Sequence, residues 1–402
     1  MGASQVSSDN SIFKPFDPEF RANPYPAYPG LLEGPPRSLN LFVPTTLVAR
    51  YDHVVEVLRD HARFSTRRPE FPVRERINVF GGAPTVLTSD PPIHTRLRKL
   101  VSSAFTPRRV RELEPRIRAI AAWLIDRMLA KGTFEAMADL ANPLPVIVIA
   151  ELLGVSADHH ERFKRWSNTL ISAAPDATGD IPSEAIAARD ALRAYLAAEI
   201  EKRRVTPSDD LVGALVAARD GAGALSEDEL LAFVILLLLA GNETTTNLIG
   251  NGLLALCRYP EQLERLRQNP DLIQSAIEEI LRFDPPVQMT VRTAERDTGI
   301  GGTDIARNGF LFVLLAAANR DPRQFPNPER FDIARHPNEH LSFGEGIHFC
   351  LGAPLARLEG AIAIGTVIER CPRLRLADPG ARLSYRGSLA LRGLVSLPLA
   401  FD

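Results

Sequence analysis

Phe343-Gly344-Glu345-Gly346-Ile347-His348-Phe349-Cys350-Leu351-Gly352 sets one cysteine among glycines, directly before a helix-forming run. Gly344, Gly346 and Gly352 permit backbone conformations closed to residues with a Cβ, and let the chain pass close to something flat and large. Next come Ala-Pro-Leu-Ala-Arg-Leu-Glu, with Pro354 placed as in a first helical turn. The pattern predicts a helix from about Pro354 to Arg370, with the sulfur at its N-terminus. Free N–H groups and the positive dipole end there favour an anion and lower a thiol pKa.

The rest of the chain limits the chemistry. At 402 residues and 45% hydrophobic composition it can bury a substantial core. A net charge of -2 carries no polyanion-binding signature, so no nucleic-acid partner is expected. Cys257, Cys350 and Cys371 form no CxxC pair, which argues against a disulfide framework and for a reducing cytoplasm. No signal peptide or membrane anchor is read at the N-terminus. The apolar run Leu230 to Gly241 is 12 residues against the roughly 20 a bilayer needs, so it reads as a buried core helix.

Residues 1–45, rich in proline and aromatics, read as an irregular arm. A strand follows at Thr46 to Arg50 and a helix from Tyr51. Periodicity is lost from Ser65 to Pro92, and helical patterning dominates from His94 to about Leu281. Short β-like pieces then lead to Cys350. The fold class is mainly α with a smaller β-rich part, in a single domain over residues 1–402.

Ser226-Glu-Asp-Glu229 is a capping box, and the helix it opens runs to Tyr259, where Pro260 stops it. Its middle reads Ala240-Gly241-Asn242-Glu243-Thr244 after four leucines. A carboxylate directly after an apolar run is expensive unless paired or functional. Thr244 can bond the Ala240 carbonyl one turn back, and Gly241 removes a side chain where something must approach. His94 and Arg98 lie i, i+4 on one helix face, two donors suited to an anionic group. Glu279 and Arg282 pair acid and base at i, i+3, a spacing common by chance. His336, His340, His348 and Cys350 also permit a zinc reading, although their spacing is not a usual one. His159-His160, amid charges, reads as solvated.

The decapeptide around Cys350 resembles the haem-thiolate loop of the cytochrome P-450 family, Phe-Gly-x-Gly-x-His-x-Cys-x-Gly, at every fixed position. The resemblance extends from about Phe13 through His-x-x-x-Arg, Ala-Gly-x-Glu-Thr, Glu-x-x-Arg and Pro328-Glu-Arg330-Phe331 in the family's order. It implies a long central helix over haem b, with Cys350 as the axial ligand of the iron. Phe343 would pack beside the thiolate, and amides of Leu351, Gly352 and Ala353 would donate to it. His94, Arg98, Arg292 and His348 would hold the propionates. Ala240 and Gly241 would face the haem, with Glu243 as the acid and Thr244 as the alcohol of proton delivery. Arg330 would complete a structural triad with Glu279 and Arg282. Ala306-Arg307-Asn308-Gly309 departs from the family's usual Pro-x-Gly.

The resemblance further implies a soluble, bacterial-type, cytoplasmic monooxygenase, a monomer, that inserts one atom of dioxygen into a largely apolar organic substrate. No flavin, nicotinamide or iron–sulfur fingerprint is present, so electrons are expected from a ferredoxin and its reductase. Arg108, Arg109 and Arg111 form a basic cluster suited to an acidic donor. By position, substrate contacts are expected from Pro69 to Val86, Leu236 to Thr244, Val287 to Val291 and Ser388 to Leu391, with Arg74 and Arg76 as anchors for a carboxylate. A peroxide-using haem enzyme and a non-catalytic haem sensor are the alternatives. Neither needs the Glu243–Thr244 pair.

Overall fold

The computed structural model describes residues 12–41, 43–67, 79–155, 159–172, 181–220, 223–386 and 388–402. About 54% of the chain is helical. It falls into two compact units, neither of them continuous in sequence.

One unit gathers the chain up to residue 69, residues 258–350 and residues 382–395. Its framework is a five-stranded sheet made of β1 (Arg37–Asn40), β2 (Pro44–Val48), β3 (Phe64–Ser65), β4 (Thr290–Ala294) and β5 (Phe310–Val313). The spatial order is β1-β2-β5-β4-β3, with β2 and β5 parallel and the other pairs antiparallel. Alternation along β5 serves both faces: Leu311 and Val313 join Val48, Val54 and Phe64, whereas Phe312 joins Phe13, Tyr28 and Leu47. The β4–β5 connection keeps its turn without proline. Asn308 takes φ 64°, a left-handed conformation that asparagine tolerates, and Gly309 N donates to Ala306 O at 2.8 Å.

The arm is more ordered than its composition suggests. Asp17 caps a helix over Pro18–Ala22 by accepting from Glu19 N at 2.8 Å, and a second helix covers Tyr28–Leu32. Prolines that broke the periodicity sit in first helical turns, where the missing N–H costs nothing. Phe13, Tyr28, Leu31 and Leu32 are buried, and that burial fixes the segment.

The other unit is mainly helical and gathers residues 70–257, 351–381 and 396–402. Its helices include Ile93–Ala104, Glu114–Lys131, Ser183–Val205 and Ala353–Arg370, the last packed on Glu114–Lys131. The central helix spans Glu227–Arg258. Ser226 Oγ accepts from Glu229 N at 3.2 Å and Glu229 Oε2 accepts from Ser226 N at 2.9 Å, the reciprocal capping box. Arg96 pairs with the same carboxylate; burial opposes ionisation, but Arg96 and Ser226 hold it below the ordinary glutamate range. By length and composition this helix would suffice to cross a membrane, yet 72% of its most apolar window is buried within the protein. It is the core helix that the sequence predicts.

Candidate haem and oxygen-activation site

The thiol loop is built by turns. Gly344 (φ 72°) and Gly346 (φ 71°) adopt the left-handed conformation, and Cys350 N donates to Phe343 O at 2.9 Å. At Gly346 a Cβ would sit 2.8 Å from the Leu58 carbonyl oxygen, so glycine is required sterically as well. Gly352 differs from expectation: its φ is -81°, open to any residue, and it serves as the N-cap of the helix Ala353–Arg370. Cys350 and Phe349 are exposed at the end of this loop, and Phe343 and His348 are half-buried. Arg292, on β4, is buried; its Nη1 donates to Val291 O at 2.8 Å.

In the helical unit, His94 is buried and Arg98 half-buried one turn later on the same helix. On the central helix Thr245 to Leu256 is buried without a break. Just before it, Leu237, Ala240, Gly241 and Thr244 form an uncovered face at i, i+3, i+4 and i+7. Glu243 is buried beside it. Thr244 Oγ1 donates to Ala240 O at 2.7 Å, as the sequence predicts. Asn242, next to both, donates to Ser167 Oγ at 3.3 Å and ties the helix to His160–Ser172, a contact with no sequence signal. No protein atom lies closer than 3.7 Å (Ile149 Cδ1) to a Cβ placed on Gly241. The protein's own packing therefore does not demand that glycine.

These residues fit haem b. A thiol on a glycine loop, an uncovered helix face of small residues and buried or half-buried histidine and arginine donors match an apolar macrocycle bearing iron and two carboxylates. The zinc reading does not survive. His340 Nε2 lies 3.2 Å from Glu278 and its Nδ1 accepts from Ser342 N, so both ring nitrogens are engaged. Among the described residues no three His, Cys, Asp or Glu side chains gather to hold a metal ion.

Two further expectations change. The triad partner of Glu279 and Arg282 is Arg335. Arg282 donates to both Glu279 oxygens at 2.8 and 2.9 Å, and Arg335 Nε reaches the same carboxylate at 3.1 Å. Arg330 turns its carbonyl inward to accept from both arginines, which leaves its own side chain 66% exposed. Within the basic cluster, Arg108 pairs with Glu112 at 2.8 Å and Arg109 with Asp209 at 3.2 Å, so two of its three charges are already matched. His159 is also engaged, with Nδ1 2.6 Å from the Tyr195 hydroxyl. Arg74 and Arg76 lie outside the described residues, as does much of Pro69 to Val86.

Comparison with known proteins settles the family. The cytochrome P450 family model matches residues 40–378. The chain is 43% identical over 389 residues to the vitamin D(3) 25-hydroxylase of Pseudonocardia autotrophica, covering 96% of this chain and 95% of that one. It is 40% identical over 367 residues to the 6-deoxyerythronolide B hydroxylase of Saccharopolyspora erythraea, covering 89% and 90%. The crystal structure of the Bacillus subtilis bacillaene polyketide synthase cytochrome P450 PksS superposes with a TM-score of 0.89 at 38% identity, covering 97% and 100%. With its glycine-held cysteine and its open central helix, the chain belongs to the cytochrome P450 family and is a monooxygenase whose cofactor is cysteine-ligated haem b.

Proposed function

We propose that this enzyme hydroxylates or epoxidises a largely apolar organic substrate with electrons from a ferredoxin and its reductase, using Glu243 and Thr244 to deliver protons. Haem b supplies the iron at which dioxygen is bound and split, with one oxygen atom passing to substrate and the other to water. Cys350 is the axial thiolate, with Phe343, Gly344 and Gly352 around it. Ala240 and Gly241 leave room for the macrocycle. His94, Arg98, Arg292 and His348 neutralise the propionates.

One observation carries the reading: a buried acid next to a hydroxyl on the uncovered stretch of an otherwise buried helix. Because the Thr244 hydroxyl proton is committed to the Ala240 carbonyl, its oxygen lone pairs are left to accept from a water on the open face. That water hands protons inward, and Glu243 replaces them from the solvent side. A peroxide-using enzyme or a sensor has no use for this pair. Thr244→Ala tests the reading. Reductant consumption continues in the variant, but hydrogen peroxide is released in place of product. Fully coupled product formation in that variant refutes the assignment.

The apolar substrate rests on the expected contact segments, where Leu236, Met289 and Leu389 predominate over charge. The ferredoxin rests on the absence of any electron-carrier fingerprint in the sequence.

A further inference from the structure

The arm, the start of β4 and the C-terminal loop enclose a cavity of about 530 Å3, its mouth included. This lies within the roughly 300–1,000 Å3 typical of small-molecule sites. Its apolar walls include Phe13, Phe20, Met289 and Leu389. Its charge has one sign: Arg21, Arg386 and Arg392 line it and no carboxylate does.

The three arginines are not equivalent. Arg392 is committed to structure. Its Nε donates to Asp284 Oδ1 at 2.8 Å, its Nη groups donate to the carbonyls of Arg21 and Ala22, and it lies over the Tyr25 and Tyr385 rings. Arg386 donates to Leu394 O across a long 3.5 Å. The Arg21 guanidinium, in the last turn of the helix Pro18–Ala22, makes no hydrogen bond or ion pair among the described residues. The wall opposite is preformed: Tyr28 Oη donates to Gln288 Oε1 at 2.8 Å, and Gln288 Nε2 donates to Pro285 O at 2.7 Å.

We propose that this cavity is a second small-molecule site for an apolar monocarboxylate, its body against Phe13, Met289 and Leu389 and its carboxylate on Arg21. A guanidinium with uncommitted donors recognises a carboxylate bidentately, and the purely cationic lining disfavours amines. Gln288, Met289, Ser388 and Leu389 also belong to the segments expected to reach the substrate. A molecule in the cavity therefore shifts substrate affinity, and by linkage substrate shifts its occupancy by the same factor. The site is independent of the proton-delivery reading.

The test uses haem-loaded enzyme whose iron is blocked with imidazole, so that a carboxylate on the haem face is displaced. Binding of carboxyl-13C decanoate is followed by equilibrium dialysis and by its carboxyl resonance. One equivalent binds to the blocked enzyme. Arg21→Gln weakens it about tenfold or more, Arg21→Lys retains most of the affinity, and decanol binds equally to wild type and both variants. The Soret band of each loaded variant reports correct folding. Loss of decanoate binding on adding imidazole, or an affinity indifferent to Arg21→Gln, overturns the proposal.

Discussion

Replacing Glu359 with glutamine should make this enzyme more stable, and by an amount that grows with pH. Glu359 lies in the helix Ala353–Arg370 and is 2% exposed. Its Oε2 has no hydrogen-bond partner among the described residues. Burial, with no cation to offset it, pushes its pKa from the usual 4.5 up to about 8. In the unfolded chain the group ionises above 4.5, whereas in the folded protein it stays protonated to about 8. Between those values the folded state binds one more proton, so stability falls as pH rises, by about 1.4 kcal/mol per pH unit. Against a neutral isostere the wild type gives up about 3 kcal/mol by pH 7 and about 5 kcal/mol from pH 8 upward. Glu359→Gln retains shape and polarity, so the difference between the two proteins isolates ionisation. Urea unfolding of haem-loaded wild type and variant from pH 5 to pH 9 measures it, and the infrared band of a protonated carboxyl at pH 7 should vanish in the variant. A stability difference that does not change with pH, or a carboxyl band unaffected by the substitution, refutes the reasoning.

Three other perturbations discriminate between features of the structure. Arg335→Ala leaves the buried Glu279–Arg282 pair short of a cation and should cost about 3–5 kcal/mol, whereas Arg330→Ala removes an exposed side chain and should stay within about 0.5 kcal/mol; equal effects in chemical denaturation would restore Arg330 to the triad. Gly241→Ala should raise helix stability by up to about 1 kcal/mol, because the new methyl meets only ordinary contacts at Ile149; turnover and haem affinity should fall, and their retention would show that nothing approaches this glycine. Reversing Arg108 and Arg109 to Glu should slow stopped-flow reduction by an acidic ferredoxin and flatten its dependence on salt; since both arginines already pair with Glu112 and Asp209, an unchanged rate would locate the donor surface elsewhere.

What the sequence determined by itself was local. The capping box at Ser226, the Thr244 bond to Ala240, the proline-led helix after Cys350 and the turns at Gly344 and Gly346 depend on neighbours within a few residues, so spacing alone specifies them. Tertiary structure decided what depends on distant partners. The arm is ordered because Phe13 and Tyr28 are buried with Leu47 and Phe312. Arg335 displaces Arg330 from the triad because the backbone after Pro328 turns its carbonyls inward, a choice no side-chain pattern encodes. Glu359, in an unremarkable Leu-Glu-Gly, becomes a titrating group only because the packed helices exclude water from it. Sequence names the residues that chemistry requires. Which of them lose their water, and which find a charge in its place, is settled only when segments far apart in the chain pack together.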